Sequence, residues 1–147
     1  MKYLKTIENF IELEGREIRG VLYKARTNAE FLNRAFGWEG KQWYKTICPY
    51  SENCVVWMVR FSESKNNDWK NVLEGDAEEI VKEYYTGKSG IWNGKPVQRP
   101  DADYRIVVSI EELNCNRYYE MKGVYKYNEE ESNENMRVYN RVGNCLP

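Results

Sequence analysis

A chain of 147 residues with 41% hydrophobic and 31% charged side chains has the balance of one globular domain, residues 1–147, rather than of a disordered segment. Its net charge of −1 excludes a uniformly basic nucleic-acid coat, and no apolar run approaches the roughly 20 residues a membrane helix needs. Histidine is absent, which removes the commonest general base and every Ser-His or Cys-His nucleophile pair. Expectation therefore moves from catalysis towards binding, and no catalytic residue is assigned.

In chain order, MKYLKTIENFIELEG starts basic but then places Glu8, Asn9, Glu12 and Glu14 where a signal peptide needs an apolar run. A cytoplasmic protein is expected. Lys5 to Leu13, with Leu4, Ile7, Phe10 and Ile11 on one stripe, reads as a short helix ended by Gly15. Arg16 to Ala25 alternates as a strand, with Gly20 as a possible bulge. TNAEFLNRAFG then spells a capping box, Thr27 with Glu30 three residues on, and stops at Gly37, a helix burying Phe31, Leu32, Ala35 and Phe36.

WEGKQWYKTICP reads as strand or loop, and CVVWMVRF (Cys54 to Phe61) as a central strand, apolar on both faces. SESKNNDWKN is a polar loop. EGDAEEIVKEYYTG offers Asp76 as an N-cap, Glu79 as its reciprocal partner and Gly87 as a stop, and is expected to be helical. KSGIWNGKPVQRPDADY is a long irregular connection, of the kind that is usually functional or mobile. Arg105 to Ile110 is a β-branched strand, and YYEMKGVYKYNEEESNENMRVYNRV from Tyr118 closes the chain as a hairpin around a solvated glutamate turn. The fold class is α+β, a curled, mainly antiparallel sheet with two or three flanking helices.

Five tryptophans and twelve tyrosines are more than a core of this size can easily seal, because each buried hydroxyl or indole N–H needs a partner. Trp38, Trp43, Tyr44, Trp69 and Trp92, each beside polar residues, are candidates for half-exposed rings that stack on a base. Trp57, within an apolar run, reads as core. Basic residues gather at Arg16, Arg19, Lys24, Arg26, Arg34, Lys41 and Lys45, and acids at 74–83 and 129–134. If the basic segments share a face, they can contact phosphates.

Two other patterns invite chemistry. Asp101 and Asp103 followed by Glu120-Met121-Lys122 spell a nuclease-like carboxylate and lysine set, with Glu120 and Lys122 on one side of a strand. Cys48 and Cys54 have five residues between them, wider than a zinc knuckle, and Cys115 and Cys145 lie far away. Buried or idle thiols are expected, with no metal and no cofactor.

KGVYKYNEEES followed by MRVYNRV, with PDADYRIVVSI before it, resembles the end of modified-base-reading domains of the SRA and EVE type, over residues 98–142. The match carries over Gly123 and Tyr125; Lys122 stands where the SRA element has aspartate. The resemblance implies a PUA-like barrel that cups one flipped base between aromatic rings. The cup is sought among Trp43, Tyr44, Trp69, Trp92 and Tyr125, with Asp103 or Asn93 on a base edge and Arg105 or Lys41 on a phosphate. The expected partner is nucleic acid or a nucleotide, with no membrane, in a defence or counter-defence system. The alternative is a phage-type inhibitor that offers its acids to a host defence protein, and the third is a metal-dependent nuclease.

Overall fold

The computed structural model describes residues 6–7, 17–39, 43, 45–61, 69–85, 97 and 99–146. These contain nine strands in one sheet and one helix. The strands are β1 (Thr6–Ile7), β2 (Leu22–Lys24), β3 (Ile47–Ser51), β4 (Cys54–Val59), β5 (Trp69–Glu74), β6 (Ile80–Tyr85), β7 (Tyr104–Leu113), β8 (Asn116–Tyr127) and β9 (Met136–Gly143). Their order is β3-β4-β7-β8-β9-β6-β5, with β2 also on β8 and β1 beside β2. β4–β7 and β1–β2 are parallel and the other pairs antiparallel. The curled, mainly antiparallel sheet of a PUA-like fold is thus what forms.

The helix α1 (Asn28–Phe36) follows its sequence signals closely. Thr27 accepts the amide of Glu30 at 3.1 Å, and Gly37 ends the helix in the left-handed region at φ 68°. Elsewhere the helical readings give way. Thr6–Ile7, inside the expected first helix, pairs with Leu22 and Tyr23, and the rest of that segment lies outside the described residues. Gly20 sits in a tight turn, with Val21 bonded back to Ile18, rather than in a bulge. The segment after Asp76 is a correction: Gly75 to Glu78 forms the turn of a β5–β6 hairpin, and Ile80–Tyr85 is a strand. Glu79, in the helix reading the reciprocal partner of an Asp76 cap, accepts instead from the Ala77 amide inside that turn. Trp69–Asn71, read as loop, is the start of β5. Of the two or three helices expected, the described residues therefore contain one.

Strand alternation divides the interior into two clusters. Val56 and Met58 of β4 and Ile106, Val108 and Ile110 of β7 face α1, where Phe31, Leu32 and Ala35 pack. Trp57, Val59 and Val107 point the other way, into a second cluster with Val81, Tyr125 and Tyr139. A bulge in β8 serves both. Val107 lies opposite Gly123 but Val108 opposite Met121, so one extra residue, Lys122, shifts the phase. Tyr119 and Met121 consequently face the first cluster and Tyr125 the second.

The sheet curls around this second cluster. β4 and β9 are three strand spacings apart, roughly 14 Å if flat, yet the Trp57 and Tyr139 ring centroids are 6.2 Å apart. All four cysteines are free; Cys48 and Cys54 are buried, Cys115 and Cys145 exposed. No helix among the described residues is long and apolar enough to cross a membrane.

Candidate functional site

The concave face of the curl carries a chain of rings and charges. On β7, Arg105 is only 4% exposed. Its guanidinium lies 4.6 Å from the Trp57 ring centroid and 4.7 Å from that of Tyr139. Glu83 of β6 holds it at 3.8 Å and accepts from Arg137 of β9 at 3.1 Å. Arg137 in turn lies over Trp69 at 5.6 Å, and Trp69 meets Tyr85 edge-on at 5.4 Å. The pairing explains the convergence: Asn71, Glu83 and Arg137 are cross-strand neighbours on β5, β6 and β9, so their side chains share one face.

Several polar atoms on this face are buried without a hydrogen-bond partner: Nε and Nη1 of Arg105, the hydroxyl of Tyr139 and Oδ1 of Asn71. Buried groups of this kind normally find a partner, because each one left unmade costs about 1–3 kcal/mol. Burial also pushes the Tyr139 phenol well above its ordinary value, so at neutral pH it remains both donor and acceptor. A guanidinium N–H, a hydroxyl and an amide oxygen without hydrogen bonds, set among Trp57, Tyr139 and Tyr127, can read the edge of a flat polar ring.

The residues singled out from sequence fall in different places. Trp69 and Arg105 come together in this chain, though Arg105 is sealed between rings and cannot be the surface phosphate holder expected of it. Tyr125 also joins the second cluster and, like Tyr139, is fully buried, but its hydroxyl is already taken, donating to the Glu78 carbonyl at 2.6 Å. It forms wall, not contact surface. Asp103 is occupied: Arg99 and Asn53 donate to its carboxylate at 2.6 and 3.3 Å, and Arg99 first, then Asn53, lowers its pKa. Trp43 is half-buried against the first cluster, its indole donating to the Ile47 carbonyl at 3.0 Å, away from the concave face. Lys41, Tyr44, Trp92 and Asn93 lie outside the described residues.

The nuclease-like set is not assembled. Glu120 lies opposite Ser109, six residues beyond Asp103 along β7, or roughly 20 Å. Glu120 is bound instead by Lys122, which also reaches Glu78 at 3.2 Å. Sequence reasoning missed Glu83, Arg137, Tyr139 and Asn71. Arg137 and Tyr139 alternate in MRVYNRV and could have been found by strand period; Glu83 was hidden by the helical reading of its segment.

A search of curated proteins finds no match. Among solved structures, the chain is similar to "The 5-Hydroxymethylcytosine-Specific Restriction Enzyme AbaSI", with a TM-score of 0.64 and 22% identity. The alignment covers 86% of this chain and 40% of that one, so the likeness is one of fold and takes in less than half of the enzyme. The family model of the SET and RING associated domain matches residues 24–147. By that match, with the curled sheet and its concave aromatic face, the chain belongs to the SRA family.

Proposed function

We propose that the chain is a DNA-reading module that receives one base, turned out of the duplex, on its concave face and distinguishes a modified base from an ordinary one. The observation that carries this is the set of buried polar atoms without a hydrogen bond, from Asn71, Arg105 and Tyr139, set among rings. A flipped base supplies both what the rings need, a flat face, and what the orphaned groups need, a hydrogen-bonding edge. Arg105 and Tyr139 are assigned the base edge, and Trp57 and Trp69 the walls. Membership of the SRA family and the likeness to a modified-cytosine restriction enzyme support the reading and a setting in defence or counter-defence.

The acids at 74–83 do not favour the inhibitor reading. Of the acids at 74–83, Glu74 is paired with Lys82 at 2.8 Å, Glu78 with Lys122 and Glu83 with Arg137, so the cluster is largely neutralised within the fold.

Titration of tryptophan fluorescence with duplexes that differ in one cytosine, unmodified or 5-hydroxymethylated, tests the proposal. The modified duplex binds more tightly, and Arg105→Met or Tyr139→Phe reduces that preference about tenfold, the worth of one good base contact. Equal binding of the two duplexes, or variants that discriminate as the parent does, would overturn it.

A further inference from the structure

On the opposite side of the sheet, between α1 and the β7–β8 turn, lies an open cleft of about 590 Å³. Lys24, Arg26, Arg34 and Arg117 line it against only two carboxylates, Glu30 and Glu112, a net of two positive charges. The carboxylates do not merely cancel the cations. Each is shared by two guanidinium groups: Glu30 by Arg26 and Arg34, both at 3.4 Å, and Glu112 by Arg117 at 3.1 Å and Arg60 at 3.0 Å. A carboxylate between two guanidiniums leaves one positive charge over and fixes where it stands. Arg60, then Arg117, hold the Glu112 carboxyl below its ordinary range, so the arrangement persists at neutral pH.

The walls are tied together. The Tyr119 hydroxyl donates to Asn28 of α1 at 2.6 Å, and its ring stacks on Phe31 at 4.6 Å and 6°. The Ala25 amide donates to the Arg117 carbonyl at 3.2 Å, joining the end of β2 to β8. Lys24 is exposed at the rim, and among the described residues its ammonium has no acceptor. The cleft lies seven residues along β7 from Arg105, counted to Glu112, or roughly 23 Å.

From this geometry we infer that the cleft is a second binding site, for two adjacent phosphates, independent of the concave aromatic face. Its chemistry suits either neighbouring phosphates of a nucleic-acid strand or the polyphosphate of a free nucleotide: paired, pre-oriented guanidiniums and a lysine, in a space the size of a small-ligand site. The net charge of −1 for the whole chain conceals it, because the acids are spent elsewhere.

Cys115, exposed and lining this cleft, is a built-in reporter. In the full chain carrying Cys145→Ser, the two remaining cysteines besides Cys115 are buried, so a neutral maleimide reads Cys115. Inorganic pyrophosphate, ATP and an unmodified duplex are each tested for protection at low salt. Saturating phosphate ligand slows alkylation at least tenfold. Lys24→Ala with Arg26→Ala, two exposed residues remote from the concave face, abolishes protection or lowers the duplex salt slope by about 1.8, while the modified-base preference of the duplex titration is kept. Protection by pyrophosphate and ATP alone assigns the site to a free nucleotide, protection by duplex alone to a strand, and protection by all three to the shared phosphate chemistry. No protection by any probe, or protection unchanged in the double variant, overturns the inference. Protection of Cys115 in the parent chain, together with equal binding of the modified and unmodified duplexes, would instead fail the aromatic-face reading and leave this one standing.

Discussion

Arg105 carries a charge where charges are costly. Its neighbours offset that cost in three ways: two ring faces within 5 Å, and the carboxylate of Glu83. A desolvated guanidinium over a ring gains about 2 kcal/mol. Glu83 serves both Arg105 and Arg137, and is itself 9% exposed. Removing it leaves an uncompensated buried cation, so Glu83→Ala should cost about 3–5 kcal/mol. Arg105→Met should cost less, because it leaves the Glu83–Arg137 pair whole and fills the space between the rings. Urea unfolding of the two variants checks the order; equal losses would mean that Glu83 does not act as the counter-charge. Trp57 illustrates what a single residue's neighbourhood in sequence conceals. Its apolar flanks correctly mark it as buried, but only the curled sheet puts a guanidinium on its face.

At the scale of elements, the β8 bulge decides which side chains reach which cluster. Gly123 holds φ 128°, and a Cβ there would stand 2.8 Å from Cδ of Arg141 and 3.0 Å from the Gly143 carbonyl. Gly123→Ala therefore meets both a backbone conformation that L-residues avoid and a neighbouring main chain that cannot yield. A loss of roughly 2–4 kcal/mol in chemical unfolding is expected. A loss below 0.5 kcal/mol would show that the bulge relaxes without cost. Helix α1 shows the opposite case, an element legible from end to end because its cap, stripe and stop are all local. β6 was not legible. IVKEYY satisfies both a helical stripe and a strand alternation, and what selects the strand is its pairing with β9, more than fifty residues away.

Over the whole molecule, tyrosine hydroxyls are the groups most changed by folding. Burial raises the pKa of Tyr23 to about 12, and raises those of Tyr119, Tyr125 and Tyr139 as well. A folded pKa above the unfolded value of about 10 means that this stability is complete below pH 10 and lost as pH rises through the folded value. Lys122, also raised, adds in the same direction: burial acts against its charge, but Glu120 and Glu78 outweigh it. The melting temperature should thus be level on the alkaline side up to pH 10 and fall steeply between 10 and 12. Tyr23→Phe, which removes a buried hydroxyl lacking a partner, should melt no lower at neutral pH and show a shallower fall. An unchanged alkaline limb in that variant would contradict the assignment.

The sequence by itself determined the things that depend on near neighbours: one capped helix, the apolar central strand, the closing hairpin, and an excess of half-polar rings that pointed to a flat ligand. Tertiary structure alone decided where those rings and charges meet. The concave site draws on six strands spread from Trp57 to Tyr139, and the phosphate cleft joins Lys24 to Arg117. Strand pairing sets such meetings by register and curl, and neither leaves a periodic signal in any single segment.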